Sequence, residues 1–394
     1  MSHQLLVADV LARVEAVREE MVEVRRDLHA HPELGWHEVR TTELLEKKLI
    51  GAGLSPRVLP TGTGLICDVG SGDSCVALRA DIDALPVPDG VAAPWRSTID
   101  GVAHACGHDV HTSALLGAAL VLAGMARDGH LDRRVRLIFQ PAEEVMPGGA
   151  LGVIAAGGLD GVRRIYGLHC DPRLQVGQVG LRVGALTAAA DRILVRLSGP
   201  GGHTSRPHLT ADLVYALATL VTELPAALSR RVDPRAGMSL VWGRITSGSA
   251  ANAIPSRGEA EGTLRCLDVN AWRLAEDLIP SLASQLVRPY GGVEVDVEVT
   301  HGVPPVMNDP TAIDVLRNAV HQTLGSSALA PTDQSLGGED FAWYMEHVPG
   351  AMARLGVRPP TLDTTGDLHT PTFDPSEEAI TLGTTVLTST ALLD

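Results

Sequence analysis

A chain of 394 residues exceeds what one compact core supports, so two domains are expected, and 45% hydrophobic with 20% charged residues excludes a disordered or fibrous protein. The balance of 32 Lys plus Arg against 47 Asp plus Glu leaves a net charge of −15, which repels phosphate backbones and anionic lipid headgroups and argues against nucleic acid or membrane as a partner. The amino-terminal MSHQLLVADVLARVEAVREEM carries acids throughout with no basic start before an apolar run, and the longest apolar stretch, Ala114 to Met125, is short for a bilayer. A cytoplasmic protein is expected. Cys67, Cys75, Cys106, Cys170 and Cys266 are odd in number and scattered, which fits reduced thiols rather than a disulfide framework.

Along the chain, apolar spacing predicts helices from about Val7 to Leu28 and from Val39 to Leu49, and LICDVG and SCVALRADID read as short strands. A helix over Val110 to Ala126, the strand RVRLIFQP, a helix through Val153 and Ile154 and the strand RRIYGLHC continue the alternation of a mostly parallel α/β sheet. Near Asp191 the rhythm changes. ILVRLSG, a helix over Asp212 to Leu224, MSLVWGRITSG, GEAEGTLRCLD, a helix over Ala271 to Leu286 and VEVDVEVT spell βαββαβ, the size of a small inserted domain with an antiparallel four-stranded sheet. The α/β rhythm resumes from about Thr311. The expected division is therefore a catalytic domain of residues 1–186 and 300–394, interrupted by an insertion at 187–299.

The densest cluster of chemistry is HACGHDVH, which packs Cys106, His108, Asp109 and His111 just before an apolar helix, and Cys and His at this spacing are metal-ligand types. Short Cys-x-His strings also arise by chance, so further ligands are required. ALRADIDALP sets Asp81 and Asp83 two apart at a strand end, where alternation projects both carboxylates to one face. FQPAEE ends another strand with Glu143 and Glu144, which in an extended segment point opposite ways, so that one binds metal while the other faces substrate. GLHC ends the next strand at His169, and DLHTPTFDP brings His369. Strand ends of an open α/β sheet are where such folds build sites.

With RRDLHAHPELGWHE, RADIDALP, HACGHD, FQPAEE, GLH, GGHTSRPH, NAIP, GTLR, GGEDFAWY and LHTPTFDP in this order, the chain resembles the M20 metallopeptidase family, and within it the amidohydrolase branch of aminoacylases, hippurate hydrolases and plant auxin-conjugate hydrolases. The resemblance implies a zinc-peptidase-like α/β fold with helices on both faces of the sheet, plus an α+β ferredoxin-like lid and dimerisation domain. It implies two divalent ions per subunit, Zn, Mn or Co, held by Cys106, His108, Glu144, His169 and His369, with the Cys106 thiolate near or between them. Glu143 is then the general base, Asp83 supports a metal-bound His, and His203, in GGHTSRPH, stabilises the oxyanion, reaching the site of the partner subunit in a homodimer. Asn252 and Arg265 match positions that contact the substrate's carboxylate or acyl part, while the role of Asp81 stays open. The implied activity is cleavage of the amide bond of N-acyl amino acids or similar small amides.

The alternatives are a metallo-carboxypeptidase or dipeptidase, a non-catalytic metal-binding protein, and a thiol enzyme with Cys106 as nucleophile and His108 or His111 as base. The family pattern loosens at Ala351 to Arg354, where many relatives carry aromatic residues. If that segment lines the acyl pocket, aryl-acyl substrates lose a wall.

Overall fold

Gly107 adopts a left-handed backbone, with φ +87, that turns the chain directly into a helix opening at His108. The computed structural model describes residues 3–362 and 366–394. They fall into two compact units, one of Met1–Gly184, Met307–Asp333 and Asp340–Asp394, the other of Ala185–Val306 and Gln334–Glu339.

In the first unit we label α1 (His3–Ala30), α2 (Val39–Gly51), β1 (Leu65–Val69), β2 (Cys75–Asp81), α3 (His108–Arg127), β3 (Arg134–Gln140), β4 (Val162–Gln175), α4 (Pro310–Thr323), β5 (Gly350–Arg358) and α5 (Glu378–Leu393). The eight-stranded sheet runs Arg57–Val58, β1, β3, β2, β4, β5, Val179–Leu181, Leu329–Pro331. The central run β3, β2, β4, β5 is parallel. All seven residues of β2 and eight of the nine in β5 are buried, as expected of parallel strands covered on both faces, which therefore show no alternation of polar and apolar positions. Helices α1, α3 and α5 pack against one another, and their apolar faces join the strands in one core through Met21, Leu28, Leu115, Leu122, Ile380 and Leu387. Asp309 caps α4 by accepting the Ala312 N–H at 2.9 Å, with Pro310 at the first helical position.

Two features bear on the expectations above. Helix α3, at 20 residues, reaches past the Ala114 to Met125 run and is long and apolar enough by length and composition to cross a bilayer, but 89% of its most apolar window is buried, as in a core helix. Ala351, Met352 and Ala353 are fully buried in β5, so the residues there face core rather than a substrate, and their side chains set packing rather than acyl preference.

The second unit carries an antiparallel sheet in the order Ser239–Ser247, Arg257–Cys266, Ala189–Ser198, Glu294–Val303, accompanied by helices Leu213–Leu228 and Val269–Val287. Asp212 and Asp268 cap those helices by accepting the N–H groups of Tyr215 and Ala271. The unit extends past 187–299 because Val303 still pairs with Ala190, and Gln334–Glu339 joins it through the Ser335 N–H to the Leu186 carbonyl, 2.9 Å.

Candidate metal centre

The site is built at the carboxyl ends of the central parallel strands. β2 ends at Asp81 and leads to Asp83, β3 runs into Pro141, Ala142, Glu143 and Glu144, β4 carries His169, and the first turn of α3 supplies His108 just after Cys106. His369 arrives from the carboxyl-terminal part of the chain, its N–H bonded to the Ala105 carbonyl at 2.8 Å and its backbone left-handed at φ +63.

The five residues read as ligands come together as two sets that share one atom. Ligand atoms of Cys106, His108 and His169 lie within 4.8 Å of one another, and so do those of Cys106, Glu144 and His369. Cys106 Sγ is 3.5 Å from His169 Nε2, and Glu144 Oε1 is 3.2 Å from His369 Nε2 and 3.9 Å from His108 Nε2.

The tautomers fit cations. His108 Nδ1 donates to the Asp83 carbonyl at 2.9 Å and His169 Nδ1 to the Cys170 carbonyl at 2.8 Å. A carbonyl only accepts, so both Nδ1 atoms carry hydrogen and both Nε2 lone pairs face the cluster. The buried His108 Nε2 has no hydrogen-bond partner among the described residues. Burial opposes a charge on His108, yet Asp81 and Asp83 push its pKa up to about 10, so these acids call for positive charge at that nitrogen. Burial and the Glu144, Glu143 and Asp81 carboxylates drive the Cys106 thiol far up in the absence of a cation, and a bound cation reverses that balance. His169 is held neutral by burial and by nearby Arg354.

Glu143 and Glu144 do not point opposite ways. Ala142 takes a left-handed backbone, φ +54, and a turn follows, so the strand has ended before the two acids and both carboxylates converge within 4.8 Å of His108 Nε2. Asp81 and Asp83 meet His108 at different nitrogens. Asp83 Oδ1 is 3.2 Å from His108 Nδ1, whereas Asp81 Oδ2 is 3.7 Å from Nε2 on the other side of the ring. His111 joins neither ligand set, and its two nitrogens meet Asp81 and the Cys170 N–H.

In the second unit, His203 and Asn252 are brought together, because Gly202–His203 pairs with Ala253–Ile254 and the Thr204 N–H bonds the Asn252 carbonyl at 3.3 Å. Both side chains are exposed. His203 Nδ1 accepts the Ser205 N–H at 3.1 Å, which leaves the ring hydrogen on Nε2. Arg265 is not brought beside them. It stands near the far end of the strand that begins at Arg257, about 26 Å along it at roughly 3.3 Å per residue. Burial lowers its guanidinium pKa.

The sequence matches the model for peptidase family M20/M25/M40 over residues 77–393. The chain belongs to that family. This M20 chain is 37% identical, over 93% of its length and 86% of the relative's, to an N-acetyl-L-cysteine deacetylase of Bacillus subtilis. It is 32% identical, at a TM-score of 0.83 and covering 96% and 99% of the two chains, to the crystal structure of a dinuclear metal-binding M20 peptidase, YXEP, of Bacillus subtilis. A Rhodococcus jostii protein named as glutamate–cysteine ligase 2-3 is 49% identical over 96% of this chain, but the chain spans about half, 47%, of that relative. The ligase name describes a protein about twice as long and is not carried over.

Sequence reasoning missed Glu38 in this M20 chain. Fully buried, it accepts the Ala142 N–H on Oε1 at 2.7 Å and so fixes the turn that carries Glu143 and Glu144. The only signal was its place in HPELGWHE, which names no role.

Proposed function

We propose that this chain is a dinuclear metal-dependent amidohydrolase that cleaves the amide bond of N-acyl amino acids or similar small amides. The observation that carries the reading is the shared thiol: Cys106 belongs to one ligand set with His108 and His169 and to another with Glu144 and His369, so five side chains offer two adjacent cation positions. The ligand types favour divalent ions of the Zn, Mn or Co kind, the thiolate being soft and the remaining N and O donors tolerant. When bound, two such ions supply Lewis acidity and lower the pKa of water at the centre.

The chain's own residues do the rest. Asp83 orients His108 through its carbonyl and carboxylate. Glu143, buried among these groups, takes the proton of the attacking water and delivers it to the amine nitrogen, which leaves poorly unless protonated. The Nε2–H of His203 suits donation to a carbonyl oxygen as it gains charge, and the adjacent Asn252 suits the polar end of the substrate. Arg265 would bind a free carboxylate as a planar fork, and its distance from His203 within the unit makes it the weaker of the two substrate contacts.

The deacetylase name of the Bacillus subtilis relative supports a small acyl group on an amino acid. We place self-association on the second unit, whose edge strand Ser239–Ser247 leaves Val241 and Ile245 65% and 54% exposed, and sedimentation velocity reads the resulting homodimer. Five free cysteines suit a reducing compartment such as the cytoplasm.

The deciding experiment strips the protein with chelator, reloads it separately with Mn, Zn or Co, and follows amine release from a panel of N-acyl amino acids and dipeptides. Cleavage of acyl amino acids only after metal is restored supports the reading. A preference for dipeptides transfers it to a peptidase, activity insensitive to chelator transfers it to Cys106 as a nucleophile, and no cleavage with any metal reduces it to metal binding.

A further inference from the structure

His111 lies in the same string as Cys106 and His108, and Asp81, His108 and His111 are close enough to resemble a third ligand set. The hydrogen bonds remove it from that role. His111 Nε2 accepts the Cys170 N–H at 2.8 Å, so its hydrogen sits on Nδ1, which donates to Asp81 Oδ1 at 2.6 Å. Asp81 Oδ2 is paired with Arg79 Nη1 at 2.7 Å, and Arg79 Nη2 continues to Asp340 Oδ1 at 2.8 Å. Arg79, Asp81, His111 and Asp340 are each at most 2% exposed. No lone pair of His111 remains for a cation.

Its location gives the chain of bonds a use. The ladder between β2 and β4 ends at Arg79 and Gly167, whereas β4 stays paired with β5 through His169 with Arg354 and Cys170 with Leu355. Past Gly167 the β2 side offers β4 no ladder partner, and the Cys170 N–H finds its acceptor in an imidazole from α3. The His111 ring centroid lies 5.0 Å from that of His169 and 5.4 Å from that of His108. It thus reaches from the helix that carries His108 to the strand that carries His169. Among the described residues, the polar partners of Glu144 and His369 are Asp83, His108, Ala105 and each other rather than members of this chain of bonds.

We infer that His111, fixed by Asp81 and Arg79, is a positioning residue that sets His108 and His169 at the right separation for the cation they share with Cys106, and does so for that cation more than for the one at Glu144 and His369. The inference rests on the dinuclear reading above. Residues that orient metal ligands without touching the ion change metal affinity by about 10–100-fold when lost.

The test uses the full chain, stripped of metal and titrated with Co(II), reading ions bound per chain by equilibrium dialysis and the thiolate-to-cobalt charge-transfer band. His111→Phe is expected to keep one ion at wild-type affinity and to bind the other at least tenfold more weakly, with an altered band. His111→Gln, whose amide oxygen can accept the Cys170 N–H, should recover part of the loss. Wild-type binding of both ions by His111→Phe, or equal weakening of both, overturns the inference while leaving the dinuclear reading intact. A wild-type chain that binds no Co(II) overturns that reading itself, and the inference with it. Should His111→Phe fail to fold, Asp81→Asn decides on the same readouts: selective weakening supports the inference and unchanged affinity overturns it.

Discussion

Asp83 Oδ2 accepts the Glu144 N–H at 2.9 Å, while Asp83 Oδ1 and the Asp83 carbonyl both face His108 Nδ1. One residue therefore places a candidate ligand from each set. Asp83→Ala should weaken both ions by about 10–100-fold, in contrast to the selective loss expected at His111. Competition against a chromophoric chelator measures this, and an unchanged affinity for either ion would show that the ligand is held by something else.

Replacing Glu143 by Gln keeps its size and removes its basicity. We expect kcat to fall by about 10²–10⁴-fold while two ions remain bound, as counted by elemental analysis. Full activity with a full metal complement would remove Glu143 from proton transfer.

Glu38 carries a pH signature. Burial raises its pKa from 4.5 to about 7, against the opposing backbone N–H groups of Glu38 itself, Ala142 and Trp36. Between those values the folded chain holds a proton that the unfolded chain releases, so stability falls as pH rises from about 4.5 through 7. Glu38→Gln retains an oxygen for the Ala142 N–H and has no proton to lose. In metal-free protein its Tm should decline less than that of wild type from pH 5 to 8; parallel declines would refute the assignment.

Arg25 and Asp109 form an ion pair at 2.8 Å with neither side chain exposed, and His29 Nδ1 reaches the same Asp109 oxygen at 2.7 Å. Burial disfavours the Asp109 charge, but Arg25 and His29 overcome it and hold its pKa far below the ordinary range. Arg25→Met leaves a buried carboxylate short of its main partner and should cost about 3–5 kcal/mol in urea unfolding, with Asp109→Asn restoring part of it in the double variant. A loss below about 1 kcal/mol would show that His29 alone suffices.

How the ligands group was legible where the sequence itself marks a strand end or a dense string. Cys106, His108 and His169 stand at such places and the Glu143–Glu144 pair closes a strand, whereas the choice of Glu144 and the inclusion of His369 rest on the family resemblance; the ligand atoms of the five form the two clusters described above. The directions of side chains were less legible. The convergence of Glu143 and Glu144 depends on a left-handed Ala142 fixed by Glu38 from 104 residues away, a contact that spacing cannot encode. Asp81 and His111 looked like ligand types because they are, and only their pairing with Arg79 and the Cys170 N–H shows that they are already engaged. Ala351 to Ala353 stand out in the sequence only as a departure from the family pattern, and no alternation of polar and apolar positions marks them as a fully buried parallel strand.

The anchoring of His369 to the Ala105 carbonyl ties together parts of the chain that lie on opposite sides of the inserted unit. Cys106, His108 and His169 precede that unit in the sequence and His369 follows it, so the two candidate cation positions share Cys106 but draw on segments that only the folded sheet brings together.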